Sequence, residues 1–418
     1  MGRSSKFNAT ILVISFVLGQ GSIFLAQTWL IISNKIDLLA AFGVTFSLAL
    51  FALIVVESGS LVTLARVAAN VSRDKHNNRR IWQVYWETTV LRLCVALALS
   101  VVSCTYALQF GNAFTRSYLM FLPPTLIIWS FNFAGLLDGL RLSGLSGASV
   151  AVAYLSSAIA LLLATDEPSD QAPYILGFGL LAGYCAATLA QLLAVNLAAC
   201  RIQFVRPTTA GIGRAFREGI AVLVTTLPGQ ATYRLQLLLA SAFLGPVATG
   251  QFIYVKQVII ALAQILAFIR RAEFPDLMRR LRGTLNPLRE VLITQRTGLL
   301  FAAASSLCLA ASGAVAIFYF EGDLQQSAVV LTIFSLIVFS SAIPLTLTQG
   351  LLAVGAYKTA AASALASAAI TMISSYMFIG HLGLLGIMIG DVLGHAAAAA
   401  IASLRLTRGS DCTRMVAR

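Results

Sequence analysis

The sequence is short of charged residues, since Asp, Glu, Lys and Arg make up only 11% of its 418 residues. Soluble globular domains carry about 25% charged residues, so an ordinary soluble fold is excluded. Only three histidines and six cysteines are present, and the cysteines show neither a CxxC nor a Cys/His metal-ligand spacing. We therefore expect no disulfide framework and no metal site, and we interpret the cysteines as small apolar residues.

The common enzyme motifs are also missing. There is no glycine-rich phosphate-binding loop that ends in GK[ST], and no pair of carboxylates beside a histidine in a polar segment. We therefore predict a protein that is not an enzyme and that needs no cofactor. Without an ATPase segment, any transport would draw on the substrate gradient or on an ion gradient, with H⁺ and Na⁺ as the candidate ions.

Apolar residues, by contrast, are abundant: they form 58% of the chain, and the mean hydropathy is +0.86. Runs of about 20 apolar residues recur, and each is long enough to cross about 30 Å of hydrocarbon as a helix. The pattern predicts an all-α polytopic membrane protein with twelve transmembrane helices. The first apolar run is too long for the core of a signal peptide, so we expect it to stay as a membrane anchor. The predicted spans are 11–32, 38–63, 88–110, 118–137, 144–165, 173–199, 219–244, 250–269, 292–320, 327–350, 357–379 and 383–404.

The basic residues predict the orientation of these spans. The formal net charge is +13, and with both termini inside, 24 of the 29 basic residues fall in internal segments. Only Lys35 and Arg116 fall in external ones. This distribution follows the positive-inside rule and predicts that the N- and C-termini are both cytoplasmic. The basic excess therefore requires no nucleic-acid partner.

A polar connection at 201–218 divides the spans into two sets of six, which predicts two six-helix bundles, residues 1–205 and 206–418. Because six is even, both bundles enter the membrane from the same side and could be parallel repeats. Gly-Gln pairs support this interpretation, since Gly19-Gln20 lies in span one and Gly229-Gln230 in span seven.

Two cations, Arg234 and Lys256, lie inside the apolar hairpin at 219–275. A Lys or Arg near the bilayer centre costs about 2.5–3.5 kcal/mol on the insertion scale, so it normally faces a wet cavity or a partner charge. The guanidinium offers planar donors that suit phosphate oxygens, which makes Arg234 a candidate for binding an anionic substrate. Arg234 could instead form a structural pair with Glu57 or Asp391, and Lys256 could extend outward to the membrane surface.

Glu57, Asp391 and His395 are the candidates for ion coupling, because intramembrane carboxylates can exchange a proton or hold sodium. Asp391 and His395 lie one helical turn apart on a shared face. Alternatively, Glu57 could neutralise Arg66 or Arg92, and Asp391 could serve helix packing.

Small and basic residues mark two further features of the second half. Gly386, Gly390 and Gly394 follow one another at four-residue spacing, which predicts a close helix–helix contact. The basic segment at 270–290 could hold anionic lipid headgroups or could serve only to set the topology.

Three motifs resemble those of a known family. They are Gly19-Gln20-Gly21, Gly43…Glu57-Ser58-Gly59, and Gly245…Gly250-Gln251-Phe252-Ile253-Tyr254. Together with the twelve spans, they are similar to the Wzx-type polysaccharide and O-antigen flippases of the multidrug/oligosaccharidyl-lipid/polysaccharide (MOP) exporter superfamily. The resemblance implies a V-shaped, MATE-like pair of six-helix bundles around a central cavity that opens alternately to each side.

The resemblance further implies a flippase of the bacterial inner membrane that moves polyprenyl-pyrophosphate-linked oligosaccharide for O-antigen or exopolysaccharide assembly. Its partners would be membrane lipids and a polysaccharide polymerase or export protein. A cationic cavity containing Arg234 and Lys256 fits this substrate. Further polar and aromatic side chains could line the sugar path, namely Asn132, Gln20, Gln230, Tyr233 and Tyr254.

Two other functions stay open. A cation-coupled multidrug exporter of the same superfamily would have a cavity dominated by carboxylates, and the intramembrane cations argue against it. A non-transporting membrane partner of a glycan-assembly complex would tolerate the loss of those cations.

Overall fold

A computed structural model of the chain describes residues 2–57, 59–71, 78–140, 142–198, 202–281, 284 and 286–407. All regular secondary structure in these residues is α-helical. The first ten helices are α1 (Gly2–Ile32), α2 (Ile36–Glu57), α3 (Ser60–Val71), α4 (Asn78–Gln109), α5 (Ala113–Leu119), α6 (Leu122–Trp129), α7 (Ala134–Gly139), α8 (Ser143–Leu163), α9 (Ala172–Leu197) and α10 (Thr209–Phe243). The other seven are α11 (Gly245–Arg280), α12 (Pro287–Thr294), α13 (Arg296–Tyr319), α14 (Gly322–Phe334), α15 (Leu336–Ala353), α16 (Tyr357–Leu382) and α17 (Leu384–Thr407).

Within the described residues, eleven helical segments are long and apolar enough to cross a membrane. They coincide with eleven of the predicted spans, so the all-α polytopic fold class is confirmed. The remaining predicted span, 219–244, lies in α10, which is 35 residues long but is not one of the eleven. Pro228 and Arg234 both lie inside this helix.

The chain packs as two compact units, Met1–Thr226 and Leu227–Arg418, and the boundary falls inside α10. One core of the first unit contains the aromatic residues Trp82, Tyr85 and Phe133 among its buried residues. The ring centroids of Tyr85 and Phe133 stack 4.8 Å apart. One core of the second unit is aliphatic and contains Leu277, Val291, Leu351 and Leu406 among its buried residues.

Several predicted spans are interrupted. Predicted span two was continuous through Glu57, whereas α2 ends at Glu57 and Gly59 adopts a left-handed φ of 68° before α3 begins. The fourth crossing, 113–139, is divided into α5, α6 and α7. Pro123 and Pro124 occupy the first turn of α6, where proline is tolerated because that turn needs no backbone N–H donors. These breaks leave backbone polar groups that must find partners inside the membrane.

The glycine face of the last span packs closely against its neighbour, as predicted. A Cβ on Gly390 would lie 2.8 Å from the carbonyl oxygen of Thr371 on α16. A Cβ on Gly394 would lie 2.7 Å from the carbonyl oxygen of Ser367, and one on Gly386 would lie 2.6 Å from the carbonyl carbon of Phe378. Only glycine allows α16 and α17 to approach this closely without displacing the backbone.

Candidate functional site

The second unit holds a buried ion pair between α11 and α17. The Lys256 Nζ atom lies 2.6 Å from Asp391 Oδ2, and the residues are 7% and 5% exposed. Gln236 on α10 donates from Nε2 to the other carboxylate oxygen, Asp391 Oδ1, at 2.6 Å. Both carboxylate oxygens of Asp391 are therefore occupied by donors. The charge of Lys256 is balanced inside the protein.

Aromatic rings surround the ammonium group of Lys256. Its Nζ atom lies 5.5 Å from the centroid of the Phe252 ring and 5.9 Å from that of Phe334. Both distances fall within the range of a cation–π interaction. Lys256 is thus held in an apolar, aromatic setting, and the alternative that it extends outward to the membrane surface is wrong.

Arg234 lies one helical turn beyond Gln230 on α10 and is 8% exposed. Its Nη1 atom donates to the Gln230 backbone carbonyl at 2.9 Å and to Gln230 Oε1 at 2.8 Å. The guanidinium carbon lies 5.8 Å from the Tyr233 ring centroid. Three of the predicted substrate-binding residues are therefore neighbours. The two oxygens of Gln230 orient the guanidinium.

His395 lies one turn after Asp391 on α17. Its Nδ1 atom is 3.0 Å from the hydroxyl oxygen of Ser340 on α15. The hydroxyl of Ser375 on α16 lies 3.5 Å from Gln236 Nε2. Lys256 and Asp391 are thus joined by the ion pair, and His395 lies one helical turn from Asp391.

In the first unit, Arg92 on α4 is fully buried, with 0% exposure. Its Nη1 atom donates to the backbone carbonyl of Asn132 at 3.0 Å. Nη2 donates to Thr89 Oγ1 at 3.1 Å, and Nε donates to the Thr88 carbonyl at 3.4 Å. The carbonyl of Asn132 lies in the break between α6 and α7, so Arg92 supports the interrupted helix.

Other side chains satisfy the remaining backbone groups at this break. Asn132 Nδ2 donates to the Trp129 carbonyl at 2.7 Å, and the Tyr85 hydroxyl donates to the Phe131 carbonyl at 2.8 Å. The backbone N–H of Phe133 donates to Gln191 Oε1 at 2.7 Å. Gln191 Nε2 in turn donates to Ser149 Oγ at 3.0 Å. The side chain of Asn132, which is 3% exposed, therefore bonds to its own helix end.

Glu57 ends α2 beside this network. Its carboxylate interacts electrostatically with Arg92 and Asp138 and hydrogen-bonds to the side chain of Trp129. The alternative in which Glu57 faces Arg92 thus has a structural basis. The side chain of Arg66 lies outside the part of the chain that the structure describes.

The structure divides the predicted site residues between the two units. Arg234, Gln230 and Tyr233 lie together in the second unit, and Lys256, Asp391 and His395 form a further polar group there. Tyr254 is half-buried on α11, Gln20 is half-buried on α1, and Glu57 and Asn132 lie in the first unit.

Two central polar residues were absent from the predicted site: Arg92 and Gln191. Arg92 could have been found, because it is a cation in an apolar span and such residues are rarely without a role. Gln191 carries no comparable signal in the sequence.

No protein-family model matches the chain, and no curated protein sequence matches it. Solved structures do match in fold. An inward-facing multidrug resistance MATE family transporter of the MOP superfamily is 13% identical, with a TM-score of 0.77 over 99% of this chain and 100% of that chain. The lipid II flippase MurJ, in an inward closed conformation, is 12% identical, with a TM-score of 0.70 over 98% of this chain and 92% of that one.

An outward-facing MATE family transporter is also similar, with 16% identity and a TM-score of 0.63 over 99% of this chain and 98% of that one. Identities of this size carry information about the fold alone. The chain therefore has the fold that the MATE transporters of the MOP superfamily share with the lipid II flippase MurJ.

Proposed function

We propose that this protein is a flippase that moves a polyprenyl-pyrophosphate-linked oligosaccharide across the bacterial inner membrane, for O-antigen or exopolysaccharide assembly. The observation that carries the proposal is the buried guanidinium of Arg234 within α10, at a predicted crossing that is not among the eleven long apolar segments of the described residues. A pyrophosphate is the substrate group that matches a fixed planar cation in a medium of low dielectric constant.

The polar groups of the second unit bear on the substrate class. Lys256 is balanced by Asp391, so the charge that the pair presents to a substrate is near zero. The guanidinium of Arg234 is held in orientation by Gln230. A guanidinium donates hydrogen bonds to an anion, whereas a lipophilic cation would need an accessible carboxylate, and both carboxylate oxygens of Asp391 are already occupied by donors.

The sugar portion of the substrate would meet the polar and aromatic side chains close to Arg234. Tyr233 offers a ring face beside the guanidinium, and Gln230 is exposed on the same helix. Gln20 and Tyr254 are further candidates for this path. Stacking on aromatic rings and amide hydrogen bonds together suit a carbohydrate.

We propose that Asp391 and His395, with Glu57 in the first unit, couple transport to a proton or sodium gradient. Asp391 accepts hydrogen bonds from Lys256 and Gln236, and protonation of its carboxylate would release Lys256. A substrate phosphate could then take the place of Asp391 beside the ammonium. The inner-membrane location, the cytoplasmic termini and a partner polymerase or export protein belong to the same proposal.

The experiment that tests the substrate class uses the purified chain in proteoliposomes. A fluorescent polyprenyl-pyrophosphate-linked oligosaccharide is placed in both leaflets, and a membrane-impermeant quencher measures its movement between them. Protein-dependent movement is expected. Failure to move this lipid, together with efflux of a fluorescent lipophilic cation that Asp391→Asn abolishes, would instead establish the drug-exporter alternative.

A further inference from the structure

A polar cavity of about 350 Å³ lies in the second unit, at the junction of α11, α12 and α13. It is lined by Glu273, Arg280, Ile293, Thr294, Arg296 and Thr297. The membrane-crossing part of α11 ends at Ala267, and the next crossing begins at Arg296. The cavity therefore lies at the membrane surface, on the side that the positive-inside rule predicts to be cytoplasmic. Its volume falls in the range of about 300–1,000 Å³ that is typical of small-molecule sites.

The cavity offers cationic donors from two elements. Arg280 ends α11 and Arg296 begins α13, so the two guanidinium groups approach from different helices. The first turn of α13 adds backbone N–H groups and the positive end of a 24-residue helix. Arginines with a helix N-terminus form the usual surroundings of a bound phosphate.

The cavity also contains acceptors that are not satisfied by the described residues. Glu273 Oε2 and Thr294 Oγ1 are both buried, and neither has a hydrogen-bond partner among the described residues. A buried carboxylate oxygen without a donor is unfavourable, so it points to a missing partner. A simple anion would not satisfy Glu273, whereas a ligand with an N–H or O–H donor near its phosphate would.

Arg270 lies one turn before Glu273 on α11 and is 4% exposed. Its Nε and Nη1 atoms have no hydrogen-bond partner in the described part of the chain. A Cβ on Gly298, which follows the cavity residue Thr297, would lie 3.6 Å from Arg270 Cγ. Burial lowers the pKa of Arg270 to about 10. An additional cation, with two donor atoms that have no partner among the described residues, thus lies beside this cavity.

We propose that this cavity binds a phosphate group that carries a neighbouring N–H or O–H donor, with Arg280 and Arg296 on the phosphate and Glu273 on the donor. Phosphoethanolamine has this chemistry, either as the headgroup of a membrane lipid or as a soluble ester. The site is separate from Arg234 and the Lys256–Asp391 pair, so it concerns a resident or regulatory ligand and does not depend on the transported substrate.

The test measures ligand binding to the purified, full-length chain in detergent by isothermal titration calorimetry. The probes are dihexanoyl phosphatidylethanolamine, dihexanoyl phosphatidylcholine and free O-phosphoethanolamine. Phosphatidylcholine has the same phosphate but a quaternary ammonium without N–H donors. We expect it to bind about tenfold more weakly than phosphatidylethanolamine, because Glu273 then lacks a donor.

Variants locate the binding. Arg280→Gln with Arg296→Gln should weaken phosphatidylethanolamine binding by at least about tenfold, because it removes charge-assisted hydrogen bonds. Glu273→Gln should bring the two lipids to similar affinity. Arg289→Gln is the matched control, since Arg289 is exposed on α12 and does not line the cavity. Because Arg280 and Arg296 are exposed, their replacement should leave the thermal unfolding midpoint of the ligand-free protein unchanged.

The two sources of the ligand give different results. Tighter binding of phosphatidylethanolamine than of free phosphoethanolamine identifies a membrane lipid as the source, and equal binding identifies a soluble phosphate ester. Unchanged affinity in the Arg280→Gln/Arg296→Gln variant, or equal affinity of the wild-type protein for the two lipids, would overturn the proposal. Neither result depends on whether the protein transports glycolipids.

Discussion

Lys256 and Asp391 are 135 residues apart in sequence, and their side chains form a 2.6 Å ion pair in the interior of the second unit. Breaking a buried pair leaves a charge without compensation, which costs about 3–5 kcal/mol. We therefore expect Asp391→Asn to lower the free energy of unfolding by several kcal/mol, measured by chemical denaturation in detergent. Replacing both residues, with Lys256→Met and Asp391→Leu, should recover most of that loss. A double variant as unstable as the single one would show that the two side chains act independently.

Arg92 donates hydrogen bonds at the break between α6 and α7, so we expect its replacement to destabilise the first unit. Arg92→Met would remove the donors to the Asn132 carbonyl and to Thr89 Oγ1. Each buried acceptor left without a donor costs about 1–3 kcal/mol. The thermal unfolding midpoint should fall clearly. The control is Arg80→Met, at an exposed position near the start of the same helix, which should change the midpoint little. Equal midpoints for the two variants would contradict the role assigned to Arg92.

Gln191 connects the N–H group of Phe133 to the hydroxyl of Ser149. Gln191→Leu should therefore destabilise the protein by about 1–3 kcal/mol, because a buried backbone donor loses its partner. Faster amide hydrogen exchange at Phe133 would locate the effect at the helix break. The control is Gln171→Leu, at an exposed position before α9. Unchanged protection of Phe133 in the Gln191 variant would be inconsistent with this bond.

The glycine face of α17 gives a steric prediction. Gly390→Ala would place a Cβ within 2.8 Å of the Thr371 carbonyl oxygen and should cost about 1–3 kcal/mol through strain in the α16–α17 contact. Gly380→Ala provides the matched comparison, because a Cβ there meets nothing within 4 Å. That change should be neutral or slightly stabilising, since alanine favours helix over glycine by about 1 kcal/mol. Thermal unfolding of the two variants in one detergent measures the difference, and a similar effect of both would exclude close packing as the cause.

Hydropathy was enough to predict most of the fold. Eleven of the predicted spans coincide with long apolar helical segments, because the bilayer imposes a length and a composition that are visible in the sequence. The close approach at Gly386, Gly390 and Gly394 was predicted for a similar reason, since small residues at four-residue spacing leave one face of a helix without side chains.

The helix breaks could not be predicted from hydropathy. The segment from Ala113 to Gly139 is apolar enough to form one crossing, yet it is divided into three helices. The groups that stabilise its second break come from α4 and α9, and an apolar sequence does not show which distant side chains will reach a given carbonyl.

The candidate site was predicted in part. Arg234 and Lys256 are conspicuous, because cations inside apolar spans are costly. The sequence did not show that these two residues have different surroundings. Lys256 meets Asp391 because α11 and α17 belong to the same packed unit, whereas the contacts of Arg234 with Gln230 are local to α10. The pairing depends on tertiary structure, whereas the local contact follows from helical spacing.

The central claim is that Arg234 binds the pyrophosphate of the transported lipid. The most direct measurement compares how fast Arg234→Gln and the wild-type protein flip the pyrophosphate-linked oligosaccharide in proteoliposomes, at equal protein content, with Arg214→Gln on the same helix as the exposed control. We predict that Arg234→Gln reduces the flipping rate at least about tenfold, as expected for loss of a charge-assisted contact. Arg214→Gln should leave the flipping rate unchanged. Wild-type rates in a correctly folded Arg234→Gln variant would contradict the claim.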